Sequence, residues 1–210
     1  MREEYYRQRT ASYGMGPTRR DRIAALAAGS GQRILDIGCA AGALGAFLKE
    51  RGNWVGGVEL SEAAAAEART RLDAVWSFDI EQPWPKRLSD EPFDIIIMGE
   101  VLEHVFDPVQ VLRSARSVLK PGGAVIVTTP NFMTWKNRIR FLLGDMRYQA
   151  EGMFDFGHIR WFTYRYLKEV LSEAGFHITH ERHIMIPARL AGLLKRWPSL
   201  FAWQFVVRAS

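Results

Sequence analysis

This 210-residue sequence predicts an α/β fold built on a doubly wound, mostly parallel sheet, and three observations support it. The first is Arg33 to Leu44, RILDIGCAAGAL. An apolar run (Ile34, Leu35, Ile37) gives way after Asp36 to small residues, and a helical pattern follows through Leu44, Phe47 and Leu48. That is a buried strand, a tight turn without bulk, and a helix start facing a ligand. The second is the repetition of strand and helix patterns downstream, which implies parallel strands joined by right-handed crossovers. The third is the placing of acids at the carboxyl ends of strands, Glu59 in WVGGVEL and Asp79 in VWSFDI. A doubly wound sheet puts a carboxylate there to accept ribose hydroxyls.

The elements read in order. Thr18 to Ala28 is an opening helix. Strand two, Trp54 to Leu60, leads to a helix over Ser61 to Leu72 with Ser61 as its cap. Val75 to Ile80 is strand three and Phe93 onward strand four. Asp107-Pro108 opens a helix to Leu119 with proline in its first turn. Strand five is Ala124 to Asn131, after the turn LKPGG. Residues 131–161 interrupt the rhythm and are too long for an ordinary connection, so they read as an inserted lid at the ligand end of the sheet. A helix over Phe162 to Phe176 follows, then strands ITHERHI and AWQFVVRA separated by a short helix around Leu190 to Lys195, seven strands in all.

The loop contains neither GxGxxG nor GxxxxGK[ST], so the dinucleotide and P-loop patterns both fail. What remains is a nucleotide-like ligand with a polar end that is not a phosphate. The elements DIGCAAG, GGVEL, SFDI, FDIIIMGEVLEHV and LKPGGAVIVTTPN, in that order, resemble the class I S-adenosylmethionine-dependent methyltransferases with their Rossmann-like sheet. The resemblance implies S-adenosylmethionine as cofactor, S-adenosylhomocysteine as product and an antiparallel final strand. It implies that Asp36, Gly38, Cys39, Ala40 and Gly42 hold the methionine end, that Glu59 takes the ribose diol and that Leu60 packs on the adenine. Asp79 and Ile80 would meet the adenine amino group; a capping aspartate is the plainer reading of Asp79. Gly99 and Glu100 would lie against the sulfonium and amino group. Tyr5, Tyr6 and Tyr13 are candidate lid residues.

Glu100, Glu103 and His104 share one face if EVLEHV is a helical turn, and His158 returns after the insertion in DFGHIRWFT. This set resembles ubiquinone-pathway catechol O-methyltransferases and small-RNA terminal 2′-O-methyltransferases, in which equivalent side chains hold a divalent metal. Glu100, Glu103, His104 and His158 are therefore candidate metal ligands, and His104 or His158 is the candidate general base on a hydroxyl. EVLEHV is also found in relatives that use no metal. His177, His180 and His183 read as strand or surface residues, and Asn131 and Arg160 as candidate substrate contacts.

Composition bounds the class. With 48% hydrophobic residues the chain builds one core, and 1–210 reads as one methyltransferase domain with 131–161 as a substrate-side cap. No apolar stretch spans a bilayer, the N-terminus is too polar for a secretory signal, and a single cysteine, Cys39, fits a cytoplasmic protein. That cysteine reads as a small residue needed for close approach. The net charge is +5 and unevenly spread: 16 Lys+Arg face 17 Asp+Glu through Pro130, and 12 face 6 from Asn131 onward. The basic residues after Asn131 alternate with aromatics. One reading is a helix packing Trp135, Ile139 and Leu142 or Leu143 on the body with arginines in water. The other is a surface for an anionic or lipid-linked substrate or a peripheral membrane contact; nucleic acid is less favoured because no reader motif accompanies the charge. From PNFMTW through AGF the chain also resembles bacterial glycoconjugate and MetW-like methyltransferases. The activity expected is O-methylation of a small molecule or glycan precursor. The alternatives are a non-catalytic S-adenosylmethionine-binding regulatory partner, or an RNA or protein methyltransferase.

Overall fold

The computed structural model describes residues 17–88, 90–149, 152–185 and 187–210; Tyr5, Tyr6 and Tyr13 lie outside these. Strands β1 (Arg33–Ile37), β2 (Trp54–Val58), β3 (Ala74–Trp76), β4 (Phe93–Gly99) and β5 (Leu119–Pro130) pair in parallel in the order β3-β2-β1-β4-β5. Strands β6 (Ile178–Glu181) and β7 (Ile184–Met185) precede β8 (Ala202–Ala209), which lies between β5 and β6 and is antiparallel to both. The expected doubly wound sheet is present. Its main path has seven strands; the two residues of β7 pair with β8 off that path.

Alternating side chains build a core on each face. Leu35, Ile37, Ile96, Met98, Val125 and Val127 meet helices α4 (Pro108–Ser117) and α6 (Tyr164–Glu173) on one side. Ile34, Val55, Ile95, Ile97 and Ile126 meet helices α1 (Pro17–Leu26) and α2 (Ala43–Lys49), with Ala68 of α3 (Glu62–Ala68), on the other. Strands covered on both faces are continuously apolar, as RILDI and FDIII are. Each such side chain contributes about 1.5–3 kcal/mol on burial.

Helix starts follow their caps. The Ser61 hydroxyl accepts from the Ala64 N–H, the Asp107 carboxylate from Gln110 with Pro108 in the first turn, and Thr163 from Tyr166. Strand three is shorter than expected: it stops at Trp76, and Asp79 and Ile80 lie in the loop beyond. There the Asp79 carboxylate accepts from the Glu81 N–H at 3.0 Å, a local bond that competes with extending the ladder. No helix among the described residues is long and apolar enough to cross a membrane.

Residues 131–161 carry helix α5 (Trp135–Leu142) and a small cluster of their own, Phe132, Met153 and Phe154, with Phe141 and Trp161 against it. The Phe132 and Trp161 rings stack at 5.2 Å. Helix α5 corrects the packing expected from its sequence. Trp135, Ile139, Leu142 and Leu143 are 40, 48, 86 and 78% exposed, whereas Asn137 is buried. The Asn137 amide donates to the Phe132 carbonyl at 2.9 Å and lies 2.9 Å from Met153 Sδ. That contact turns the Asn137–Phe141 side inward, and the apolar stripe half a turn away faces water.

Gly57 on β2 shows how tightly the ligand end is packed: a Cβ there would lie 2.5 Å from Cys39 Sγ and 2.7 Å from Leu72 Cδ1. Gly57→Ala should therefore lower stability by about 1–3 kcal/mol through overpacking, read as a lower urea midpoint at unchanged m-value.

Candidate active site

The loop after β1 is held by the end of β2. The Gly38 and Cys39 N–H groups both donate to the Val58 carbonyl, at 2.8 and 3.1 Å. The Glu59 carboxylate then bridges two segments, accepting from the Ala40 N–H at 2.9 Å and from the Ser61 N–H at 2.8 Å. Ala40 has φ 46°, rare for a residue with a Cβ, and the Glu59 bond secures it there. A Cβ on Gly38 would lie 3.0 Å from Val101 Cγ2, so side-chain-free backbone faces that turn. Each Glu59 oxygen keeps lone-pair capacity beyond its one N–H partner.

Asp36 is buried at the end of β1. Burial, and then the nearby Glu59 charge, push its carboxyl up to about 7. Cys39 is buried as well, and burial together with the same two acids drives its thiol far above the usual range. The thiol packs against Gly57 and is not a nucleophile near neutral pH.

The second half of the site begins at the end of β4. Glu100 has φ 60°, and only Leu102–His104 form a helical turn, of the 3-10 kind. The EVLEHV block therefore splits, because Glu100 stands outside the turn that would place it beside Glu103. Its carboxylate meets Arg19 Nη1 at 3.3 Å, accepts from the Thr128 hydroxyl at 3.3 Å and accepts from the Gln204 amide. Glu103 is completely buried, and among the described residues neither carboxylate oxygen has a partner at hydrogen-bond distance, the Thr129 hydroxyl being the polar group beside it. Burial and the Glu100 charge hold its carboxyl well above the usual range. The Glu103 carbonyl accepts from the Ile159 and Arg160 N–H groups, both at 3.0 Å, and this brings the end of the inserted segment to β4.

His104 and His158 then face each other with ring centroids 4.8 Å apart. His104 Nδ1 lies 2.8 Å from the Gly157 carbonyl and His158 Nδ1 2.9 Å from the Met153 carbonyl. A carbonyl can only accept, so each Nδ1 donates and each Nε2 is the ring nitrogen on the far side from its carbonyl. Donor atoms of Glu103, His104 and His158 lie within 4.8 Å of one another. Beside them is a pocket of about 130 Å³ lined by Glu100, Pro130, Gly152, Met153, His158 and Trp203.

The family described as "Methyltransferase domain" matches residues 5–181. The chain belongs to the class I S-adenosylmethionine-dependent methyltransferases. A ubiquinone biosynthesis O-methyltransferase of Pseudomonas aeruginosa is 37% identical over 106 residues, 49% of this chain and 46% of that protein. Its namesake in Hahella chejuensis is 36% identical over 121 residues, 56% of this chain and 51% of that one. The chain thus spans about half the length of the curated relatives it matches. In fold it is similar to a SAM-dependent methyltransferase from Archaeoglobus fulgidus (TM-score 0.68, 19% identity, 98% of each chain covered). It is also similar to a Synechocystis magnesium protoporphyrin IX methyltransferase with bound SAH (TM-score 0.65, 14% identity, 98% of this chain and 92% of that one).

Several candidate residues have other partners in this methyltransferase. Asn131 is buried and structural: its amide donates to the Ala202 and Ser199 carbonyls at 2.8 and 3.2 Å, and its Oδ1 accepts from the Met133 N–H. Arg160 donates to the Phe106 carbonyl. His183 is buried, accepts from the Val206 N–H through Nδ1 and pairs with Glu181, while His180 is exposed on β6. Leu60, Asp79 and Ile80 lie half-exposed past the ends of β2 and β3. The sequence reading missed Arg19, Thr128, Gln204 and Trp203. Gln204 had a signal, being a lone amide in the apolar run AWQFVV, and Thr128 stands near the carboxyl end of β5; nothing in the sequence marked Arg19.

The raised Asp36 pKa has a consequence for stability. Its folded value of about 7 exceeds the ordinary 3.8, so the neutral acid's contribution is complete below about 4 and is lost as pH rises toward 7. Asp36→Asn avoids that loss. The ligand-free variant should be more stable than wild type at pH 8, by on the order of 4 kcal/mol, with the gain vanishing near pH 4; chemical denaturation at the two pH values reads it.

Proposed function

We propose that this methyltransferase moves a methyl group from S-adenosylmethionine to a hydroxyl oxygen of a small-molecule acceptor. The observation that carries this reading is the pair His104 and His158, rings 4.8 Å apart and each with Nδ1 bound to a carbonyl, with His158 lining a pocket and a donor atom of the fully buried Glu103 within 4.8 Å of both. The names of the curated relatives, O-methyltransferases of ubiquinone biosynthesis, support a small hydroxylated acceptor over a glycan precursor.

The residues present fit the cofactor. A turn in which a Cβ on Gly38 would press on Val101 at 3.0 Å, and two buried acids, one of them pushed up in pKa by burial and by the other's charge, suit a ligand bringing a cation and a ribose. Asp36 would meet the methionine amino group with the backbone from Gly38 to Gly42. Glu59 would take the ribose hydroxyls on its remaining lone pairs, Leu60 the adenine face, and Asp79 and Ile80 the adenine edge. Gly99 and Glu100 close the sulfonium side. When bound, S-adenosylmethionine supplies an electrophilic methyl group on a cationic sulfur. An acceptor hydroxyl in the pocket gives its proton to the Nε2 of His158, which lines that pocket, or of His104 against it, and its oxygen forms the new bond to carbon as the carbon–sulfur bond breaks toward sulfur. Positioning supplies much of the acceleration, and residues 131–161 act as the cap that shields the pocket, within a chain working as one domain.

Glu103, His104 and His158 also fit a divalent cation. Two imidazoles and one carboxylate are a borderline-hard donor set, their donor atoms lie within 4.8 Å of one another, and each imidazole is oriented by a carbonyl behind it. Such an ion would lower the pKa of an acceptor hydroxyl. Glu100, committed to Arg19, Thr128 and Gln204, serves the cofactor side instead.

Transfer of labelled methyl to simple phenols and catechols tests the reading. His104→Ala and His158→Ala should each lower kcat roughly 100-fold or more while S-adenosylhomocysteine still binds in calorimetry. Unchanged turnover in both variants, or a protein that binds the cofactor and methylates no hydroxyl, refutes it. For the ion, Glu103→Gln should abolish the heat of Mg²⁺ or Mn²⁺ binding; wild-type heats in that variant remove the metal from the site.

A further inference from the structure

Helix α5 exposes the side that ordinarily packs. Trp135, Ile139, Leu142 and Leu143 face water, and Met146 and Tyr148 continue the exposed run at 49 and 54%. Contiguous apolar surface of this kind marks an interaction site. The same stretch holds Lys136, Arg138, Arg140 and Arg147 against one acid, Asp145, which Arg140 and Arg147 bracket at 3.0 and 2.9 Å. The Lys136 ammonium lies 5.7 Å from the Trp135 ring centroid.

A second segment repeats the pattern. Between residues 188 and 203, Leu190, Leu193, Trp197 and Trp203 are 45–66% exposed, and Arg189, Lys195 and Arg196 stand among them with no acid. Asn131 ties the two segments together, since its side chain binds the Ser199 and Ala202 carbonyls and its N–H binds the Trp203 carbonyl at 3.0 Å. The second segment reaches the pocket through Trp203, and Gly152 and Met153, shortly after Tyr148 in the chain, line the same pocket.

We propose that the two segments form one docking surface for an anionic phospholipid bilayer, with the pocket opening beside it. Leucines exposed to 86 and 78% find no complement on a nucleic acid, whereas a bilayer accepts the aliphatic side chains at the acyl boundary and the cations among its phosphates. Tryptophans belong at that boundary. An acceptor with an apolar tail would then enter the pocket from the bilayer, a consequence that rests on the hydroxyl methylation proposed above; the docking itself does not.

The test is co-sedimentation of the full chain with vesicles of phosphatidylcholine alone or mixed with phosphatidylglycerol. The protein should pellet with the mixed vesicles, release with added salt and remain in solution with neutral ones. Leu142→Glu/Leu143→Glu and, separately, Lys136→Glu/Lys195→Glu should each weaken binding roughly tenfold or more, with S-adenosylhomocysteine calorimetry unchanged as the check on folding and on the cofactor site. No pelleting of wild type, equal binding to neutral vesicles, or full retention in the leucine variant overturns the proposal. So does a wild-type dimer in light scattering that the leucine variant breaks without any vesicle binding, which would give this face to a second copy of the chain.

Discussion

The carbonyl of Glu103 accepts two N–H groups from Ile159 and Arg160, and on this forked contact the pocket end of the molecule depends. It joins the Phe132 N–H bond to the Phe162 carbonyl and the Arg160 bond to the Phe106 carbonyl in closing the excursion that residues 131–161 make beyond β5. With it, the chain that carries His158 is delivered to the turn that carries His104, and the two rings come to 4.8 Å. The fork itself is made of backbone atoms alone. The Met153 and Gly157 carbonyls extend the same logic by fixing each imidazole from behind.

At the other end, function and stability oppose each other. Asp36 and Glu59 are two buried acids close enough for each other's charge to matter, and only Glu59 has backbone donors arranged around it. A protein optimised for its own stability would not keep Asp36 in that position. Its strain is explicable as a site prepared for a cationic partner, the usual compromise of a binding cleft.

Much of this was legible in the chain. The apolar runs of RILDI and FDIII marked strands covered on both faces, and the Ser61 and Asp107 caps marked two helix starts, because these signals are local and burial agrees with them. Of the candidate site, a motif named Asp36, Gly38 and Glu59 in advance, and the structure gathers them where β1 and β2 end. The site was not legible where long-range contacts decide. No pattern in the sequence shows that Arg19 reaches Glu100, or that Asn131 spends its amide on Ala202 and Ser199. Helix α5 is the sharpest case: its hydrophobic periodicity is genuine, but one amide contact, Asn137 to the Phe132 carbonyl, sets its rotation and turns the stripe outward. Periodicity identifies the faces of a helix and does not say which one the rest of the protein will cover.

The position of β8 has a consequence for how the molecule is made. It follows β6 and β7 in chain order, yet it fills the gap between β5 and β6 and supplies Gln204 and Trp203 beside the pocket. During synthesis one side of β5 stays unpaired until Ala202–Ala209 has been made and released from the ribosome. That open ladder is sticky and waits on a pairing of long sequence separation, so the nascent protein is at its most aggregation-prone just before β8 arrives.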